Sequence, residues 1–269
     1  MAKRQMSNPQ DDLERAQDLV YSAWETDKPA RRAEIARKAL AISPLCADAY
    51  VILAHQAEKG SDDALALWKQ GVEAGEAALG ERAFEDDAGL FWGILETRPY
   101  MRARTGLAYA RWHRGDCTAA VSHLEAMLEL NPNDNQGLRY PLASWLLELG
   151  EDAKLAALFK RYKDDESADF LWTAALAEFR RSGDGPASQK RLRKARKDNR
   201  HVVAYLAGAK AMPKKLPPFI SPGDEDEAVA YADGARKTWA AIPGALDWLT
   251  RQGVSEPSGK RNRGRKGPV

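Results

Sequence analysis

The sequence predicts an all-α protein, an α-α superhelix of tetratricopeptide-like helical hairpins with about five pairs, further C-terminal helices and a disordered basic tail. Three observations favour this fold class. Ala, Leu, Glu, Arg and Lys, which are good helix formers, dominate the 269 residues. Long runs of Val, Ile and Thr, of the kind that strands need, do not occur in the sequence. Amphipathic segments that end at a proline recur along the chain, which is typical of helical repeats.

The recurring segment is an amphipathic helix that follows another helix and a tight turn. Its two clearest copies are 31–44 (RRAEIARKALAISP) and 118–132 (TAAVSHLEAMLELNP). Both end on a proline, which cannot continue a helix and which restricts the residue before it. A helix, a turn, a second helix and a proline-marked exit form the tetratricopeptide pattern, whose period is about 34 residues.

The spacing of Pro44 and Pro132 predicts an insertion between the second and third repeats. The two prolines are 132 − 44 = 88 residues apart, whereas two periods account for about 68 residues. The 20 residues left over match the segment 80–99, GERAFEDDAGLFWGILETRP. We expect its acidic residues 85–87 to be solvated. We expect its apolar residues to fold back as a short helix over an exposed helix edge; they are Leu90, Phe91, Trp92, Ile94 and Leu95.

The predicted organisation is one helical domain between two loose ends. Residues 1–10 are predicted to be a flexible N-terminus and residues 11–254 the tetratricopeptide-like domain, with the tail at 255–269. The helix pairs are expected at about 11–44, 46–79, 100–131, 134–163 and 168–198.

Pro141 falls inside the first helix of the fourth predicted pair. An interior proline costs about 3 kcal/mol and kinks a helix. Two alternatives follow from the sequence: the helix starts late, near Tyr140, or it bends at the proline.

Several segments resemble the suppression-of-tumorigenicity-7 family of tetratricopeptide-like proteins. They are PLCADAYVILA (44–54), NRHVVAYLAGAKAM (199–212), GDEDEAVAYA (223–232) and PGALDWL (243–249). The likeness runs from about residue 20 to residue 250, and the segments between these motifs look like a bacterial branch. The resemblance implies an all-helical, solenoid-like fold. It implies no reaction, because the family has no established catalytic residues to carry over.

A stack of such hairpins presents a concave face through the first helix of each pair. Arg offers a planar fork for carboxylates, and Tyr and Trp are typical interface anchors. The sequence therefore predicts a groove for a protein partner, an acidic peptide or a C-terminal carboxylate, as the resemblance to carboxylate-binding tetratricopeptide domains suggests. Inner-face spacing selects these six residues as the groove: Arg102, Thr105, Tyr109, Trp112, Asn135 and Arg139. The same spacing places His113 and Gln136 on that face.

A structural role for the same residues is the competing interpretation. Arg102 and Arg139 would then pair with nearby carboxylates, and Tyr109 and Trp112 would pack between helices. The carboxylates considered as partners are Glu96, Asp134 and Glu148.

The acidic runs 164–166 and 224–227 are interpreted as helix boundaries and not as catalytic carboxylates. The first predicts a solvated turn. In the second, Asp224 is expected to cap a helix with Glu227 reaching back, as in a capping box. Phosphate loops, nucleophile elbows and HExxH motifs do not occur in the sequence. We therefore predict a non-enzymatic protein without a cofactor.

A metal site at His113, Cys117 and His123 is not expected. Gaps of four and six residues do not place the three side chains on one helical face, and Gly115 interrupts the helix between them. Two cysteines give neither a disulfide framework nor a zinc quartet.

The sequence carries neither a secretory signal nor an apolar run of about 18 residues. Animal members of the family carry membrane spans ahead of the helical region, and this sequence has none to match. A cytoplasmic protein without a membrane partner is therefore predicted.

The positive charge is concentrated at the C-terminus. The formal net charge is +2, and residues 255–269 contribute +5 − 1 = +4, so the remaining residues sum to +2 − 4 = −2. A nucleic-acid-associated or regulatory role through this tail is the alternative to the groove, and a merely solubilising end is the competing interpretation. The tail cations are Lys260, Arg261, Arg263, Arg265 and Lys266.

Overall fold

The computed structural model describes residues 8–251, and all the regular secondary structure in that range is helical. The predicted all-α fold class is confirmed. The α-helices of this range are α1 (Pro9–Trp24), α2 (Pro29–Ile42), α3 (Ala47–Gln56), α4 (Asp62–Leu79), α5 (Glu81–Asp86), α6 (Arg98–His113), α7 (Cys117–Leu130), α8 (Arg139–Leu149), α9 (Asp152–Arg161), α10 (Ala168–Ser182), α11 (Pro186–Asp198), α12 (Val202–Leu206), α13 (Glu225–Ala241) and α14 (Ala245–Arg251).

Two compact units divide the chain, with the boundary between Trp145 and Leu146 inside α8. In unit 1, which ends at Trp145, α1 packs on α2, α3 on α4, and α6 on α7. Each new hairpin also packs on the preceding one, since α3 contacts α2 and α6 contacts both α3 and α4. Within unit 1, this succession of stacked hairpins is the packing of an α-α superhelix.

The second unit begins at Leu146 and contains the end of α8 and the helices α9–α14. Its centre is the hairpin of α10 and α11, and α13 and α14 both pack on α10. The short helix α12 contacts α13 and α14. The proline-rich segment between α12 and α13 is irregular, as its composition predicts.

The turns of two hairpins contain glycines in the left-handed region. Gly115 separates α6 from α7 with φ 83°, and Gly150 separates α8 from α9 with φ 76°. Only glycine adopts these angles without a steric penalty, which explains why a glycine occupies both turns.

The segment 80–99 does not contain the short helix that its apolar run was expected to form. The helix α5 covers the acidic part instead, and the apolar part folds into two short 3₁₀ turns, Phe91–Gly93 and Leu95–Thr97. The buried hydroxyl of Thr97 lies 2.9 Å from the carbonyl oxygen of Ile94 and also contacts that of Phe91, so one side chain closes both turns.

Burial of the apolar side chains in this segment is selective. Phe91 is fully buried, with ring centroids 5.2 Å from Phe84 and 6.2 Å from Tyr100. Leu90 and Leu95 remain 66% and 59% exposed, which corrects the expectation that the whole run would be covered. Phe91 is thus the fully buried apolar side chain of this run, whereas Trp92 and Ile94 are partly buried.

Pro141 does not bend α8. The helix begins at Arg139, so Pro141 lies in its first turn, where a backbone N–H has no acceptor within the helix. The carboxylate of Asp134 accepts hydrogen bonds from the N–H groups of Leu138 (2.7 Å) and Arg139 (2.9 Å) and so fixes the late start.

Small residues allow α4 and α6 to approach each other closely. Gly71 faces Ala103, Gly75 faces Tyr100, and the ring of Trp68 lies across Gly106. A Cβ atom placed on Gly106 would lie 2.1 Å from a ring carbon of Trp68, which no packed structure tolerates without movement.

The substitution Gly106→Ala is expected to lower the free energy of unfolding of unit 1 by about 1–3 kcal/mol, because overpacking outweighs the gain of about 1 kcal/mol in helix propensity. Gly234→Ala in α13 is the matched control, because a Cβ atom there meets nothing within 4 Å. It should stabilise the protein by up to about 1 kcal/mol. Urea unfolding followed by circular dichroism measures both changes, and equal stabilisation by the two alanines would refute the close approach of α4 and α6.

Candidate functional site

The guanidinium group of Arg102 is bound to a buried carboxylate of the same chain. Its Nε lies 2.8 Å from Oδ1 of Asp48, and Nη2 lies 2.5 Å from Oδ2. Asp48 is fully buried in α3 and also accepts a hydrogen bond of 2.9 Å from Gln17 in α1. The guanidinium carbon lies 4.9 Å from the ring centroid of Trp24. Arg102 therefore joins α6 to α3 and α1, with a partner that the sequence interpretation had not considered.

The second predicted arginine, Arg139, also serves the fold. Its Nη1 lies 3.1 Å from the carboxylate of Asp134, which is one of the partners considered from the sequence. Its Nη2 donates a hydrogen bond of 2.7 Å to the hydroxyl of Tyr140. Burial raises the pKa of Asp134, whereas hydrogen bonds from the start of α8 and the charge of Arg139 oppose that rise.

The predicted aromatic residues meet one further tryptophan. The ring of Trp112 stacks on Trp145 with centroids 4.5 Å apart and an interplanar angle of 6°. Tyr109 contacts the same ring edge-on at 5.2 Å but remains 38% exposed. Trp112 is thus a packing residue, and Tyr109 both packs and presents a surface.

Thr105 and the turn before α8 form the last part of the predicted set. The hydroxyl of Thr105 donates to the carbonyl of Met101 (2.8 Å) and accepts a hydrogen bond of 3.2 Å from Gln136. Asn135 is exposed and does not line the cavity described below, whereas its neighbour Gln136 does. Of the two turn residues that inner-face spacing selects, only Gln136 lines the cavity.

A cavity of about 570 Å³ lies between α3, the start of α4 and α6. Three of the six predicted groove residues line it, namely Arg102, Thr105 and Tyr109. His113 and Gln136, which inner-face spacing also selects, line it as well, and the polar and aromatic residues that the structure adds are His55, Lys59, Trp68 and Arg114. His55, Lys59 and Trp68 come from the second hairpin, whose contribution could only have been inferred by placing α3 and α4 against α6.

The lining of this cavity is cationic. It contains Lys59, Arg102 and Arg114, and its lining within the described range contains no Asp or Glu. Arg114 donates a hydrogen bond of 2.8 Å to the carbonyl of Gly60 and pairs at 2.7 Å with Asp62 outside the lining. Burial lowers the pKa of His55 and, together with Lys59, that of His113, so both imidazoles are neutral near pH 7.

The residues considered for a metal do not form a ligand set. His113 lines the cavity, whereas the Nδ1 of His123 accepts a hydrogen bond of 3.3 Å from Arg104. Burial and the charges of Arg104 and Arg111 lower the pKa of His123 to about 4. Across residues 8–251, no group of three His, Cys, Asp or Glu side chains is placed so that it could hold a metal ion.

In unit 2, Glu227 is buried and does not complete the capping box expected at Asp224. The side chain of Asp224 makes no cap bond, and the carboxylate of Glu227 points elsewhere. It accepts hydrogen bonds from the backbone N–H of Ala168 (2.9 Å), from Asn199 Nδ2 (2.9 Å) and from the N–H of Gly223 (2.8 Å). The expectation was wrong because Glu227 bonds to the N–H of Gly223, one residue before Asp224, and to donors at the start of α10 and directly after α11.

Three of the four segments that carry the family resemblance meet in the core of unit 2, whereas 44–54 lies in unit 1. Asn199 and Glu227 come from two of those motifs and bind each other directly. Trp239 stacks on Trp248 with centroids 6.4 Å apart, and Trp248 stacks on Phe179 at 4.4 Å. Burial, followed by the charge of Glu227, raises the pKa of Asp169 to about 6. The segments that resemble the family thus contain residues that hold the helices of unit 2 together. This role is not evident from the segments in the sequence, because it depends on contacts between them.

The five tail cations lie outside the residues that the structure describes, so nucleic-acid binding through them stays a prediction. Among the described helices, none combines the length and the apolar character needed to cross a membrane.

Comparison with known proteins supports the resemblance found in the sequence. None of the profiles of known protein families matches the chain. A suppressor of tumorigenicity 7 protein-like from Bos taurus is 29% identical over 266 residues, which cover 89% of this chain and 47% of the relative. The human protein of that name is 28% identical over 266 residues, with 89% and 45% covered. Protein ST7 homolog from Drosophila melanogaster is 27% identical over 267 residues, with 86% and 47% covered.

The chain spans about half the length of the curated relatives that it matches. These relatives are animal proteins, so the assignment to a bacterial branch stays a prediction. The resemblance itself is confirmed: over most of its length, this chain is similar to the suppressor of tumorigenicity 7 proteins.

Proposed function

We propose that this chain is a non-enzymatic protein-interaction module, and that the cavity between α3, α4 and α6 binds an acidic segment of a partner protein. The observation that carries the proposal is the lining, which contains no carboxylate and in which Lys59 has no ion-pair partner in the described range, whereas Arg102 and Arg114 are paired with Asp48 and Asp62. An acidic peptide satisfies such a surface, because charge-assisted hydrogen bonds are stronger than neutral ones. The stacked tetratricopeptide-like hairpins of unit 1 supply the rigid frame on which such sites are built.

The residues that would touch the partner differ from those that hold the site. Arg102 is committed to Asp48 and so holds α6 against α3 beside the cavity, whereas Arg139 is bound to Asp134 at the start of α8, outside the cavity lining. Direct contacts would come from Lys59, Tyr109 and His113, which are all exposed. Tyr109 offers a large amphipathic ring at low entropic cost, as interface anchors do.

A cytoplasmic setting belongs to the same proposal. Cys46 and Cys117 are both free, and burial raises the pKa of the Cys46 thiol to about 11, which keeps it unreactive. Free thiols are typical of proteins in reducing compartments.

Fluorescence anisotropy with a labelled decapeptide of alternating Glu and Leu tests the site. Lys59→Glu should weaken binding of this peptide by at least about tenfold, because it replaces an attractive charge with a repulsive one. The matched control is Lys69→Glu, which makes the same charge change at an exposed position of α4 outside the cavity lining. The control should bind as the native chain does, because Lys69 does not line the cavity and salt weakens interactions between exposed charges that are not in contact.

Two results would count against the proposed site. One is an equal loss of affinity in Lys59→Glu and Lys69→Glu, which would indicate only a general charge effect. The other is equal binding of an otherwise identical decapeptide in which Lys replaces Glu.

A further inference from the structure

The surface of α11 is the most strongly charged part of unit 2. Seven of the eleven residues from 190 to 200 are Lys or Arg, and Asp198 is the only acid among them. Leu192 and Ala195, the apolar residues in this stretch of helix, are buried against the rest of the unit. The outward face of the helix is therefore left almost wholly to cations.

Part of this charge is neutralised within the chain. Arg191 lies 3.6 Å from the carboxylate of Glu178 in α10, and Lys194 lies 3.1 Å from that of Glu166. These pairs lie on one side of α11.

Four of the other five cations form a stripe. Lys190, Arg193 and Lys197 follow the spacing i, i+3 and i+7, which places them on one side of α11, and Arg200 comes directly after the helix. All four are exposed, and none of them forms an ion pair with any residue of the described range. At a rise of about 1.5 Å per residue, the three helical cations stand about 4.5 and 6 Å apart along the axis.

We propose that unit 2 binds the phosphate backbone of double-stranded nucleic acid through this basic stripe, defined as Lys190, Arg193, Lys197 and Arg200. A duplex presents one negative charge per about 1.7 Å of its axis, so a row of cations finds several phosphates at once. Binding of this kind positions the protein without selecting a base sequence.

The composition of α11 favours a duplex over a single strand. Single-strand binding relies on aromatic side chains that stack on bases, and the segment 186–200 contains no aromatic residue. Binding to a membrane surface is less well supported, because amphipathic helices that lie on membranes insert an apolar face. The apolar residues Leu192 and Ala195 of α11 are already buried in the protein.

The test uses the full chain, a fluorescein-labelled duplex DNA of about 20 base pairs and fluorescence anisotropy at several KCl concentrations. The variant Lys190→Gln/Arg193→Gln/Lys197→Gln removes three charges while keeping good helix formers. Its affinity should fall at least about tenfold, and the slope of log K against log salt should become shallower by about 2.7, which is 0.9 for each of three phosphate contacts.

A matched variant removes the same charge from the tail: Lys260→Gln/Arg261→Gln/Arg263→Gln. Neutralising α11 in that background should still reduce both the affinity and the salt slope. The proposal is overturned if the α11 variant, shown to be folded by circular dichroism, binds the duplex with native affinity and slope.

Vesicles that contain phosphatidylserine distinguish binding to a nucleic-acid duplex from binding to an anionic lipid surface. Loss of vesicle binding in the α11 variant with unchanged duplex binding would overturn the proposal and assign the stripe to a lipid surface. Lys59→Glu should not affect duplex binding, so failure of the peptide site in unit 1 and failure of the stripe in unit 2 are distinguishable.

Discussion

Replacing Arg102 with alanine is expected to lower the free energy of unfolding of unit 1 by about 3–5 kcal/mol. The substitution leaves the fully buried carboxylate of Asp48 with only Gln17 as a side-chain partner, and an uncompensated buried charge is very costly. It also removes the planar group that lies over Trp24. Chemical denaturation followed by circular dichroism measures the loss.

The matched control for this prediction is Arg114→Ala. Arg114 follows α6 directly and also pairs with an aspartate, but the side chain of its partner Asp62 is 89% exposed. Solvent replaces such a partner, so the control should lose less than about 1 kcal/mol. Equal small losses in the two variants would show that Asp48 tolerates the loss of its arginine, and the proposed clamp between α1, α3 and α6 would be wrong.

A double substitution distinguishes the cost of an unpaired Asp48 from the net contribution of the Arg102–Asp48 ion pair. In Arg102→Met/Asp48→Leu both charges are absent, and much of the stability lost in Arg102→Ala should return, because removing a buried pair costs far less than breaking it.

The burial of Asp48 also affects how binding experiments with Arg102 variants are interpreted. Arg102→Glu would set two carboxylates against each other, so loss of a partner in that variant would report loss of the fold and not of a contact.

The substitution Glu227→Ala is expected to destabilise unit 2 by about 3–5 kcal/mol. Glu227 is buried and accepts hydrogen bonds from Ala168, Asn199 and Gly223, and its removal leaves all three donors without this acceptor. A hydrogen bond to a charged group contributes about 1.5–3 kcal/mol, and an unsatisfied buried donor adds its own cost. Thermal unfolding of the full chain, compared with the native protein, measures the change.

Glu227→Gln refines this prediction. The amide keeps one oxygen acceptor but turns an NH₂ group toward donors that need an acceptor, so an intermediate loss of about 1–3 kcal/mol is expected. Glu225→Gln makes the same chemical change in the same first turn of α13, where Glu225 contacts the exposed Lys210. That control should change stability by less than about 1 kcal/mol. If both glutamines behaved alike, the buried acceptor role of Glu227 would be untenable.

The sequence of this protein by itself determined its helices. Proline and glycine mark where helices begin and end, and the period of apolar residues marks which side is buried, so α6 and α7 follow closely from local pattern. Pro141 is a further example of a local signal: its place in the first turn of α8 was one of the two alternatives that the sequence predicted. These features depend on residues a few positions apart.

The tertiary structure alone decided what the polar side chains do. The partner of Arg102 lies 54 residues away in the sequence, and Glu227 bonds to residues 28 and 59 positions away. Local sequence patterns do not predict contacts between residues so far apart in the chain. The cavity combines residues from two hairpins, so inner-face spacing within one helix found only half of the predicted set there. Helix formation is governed by nearby backbone hydrogen bonds, whereas a buried charge selects its partner from whichever helices the packing brings together.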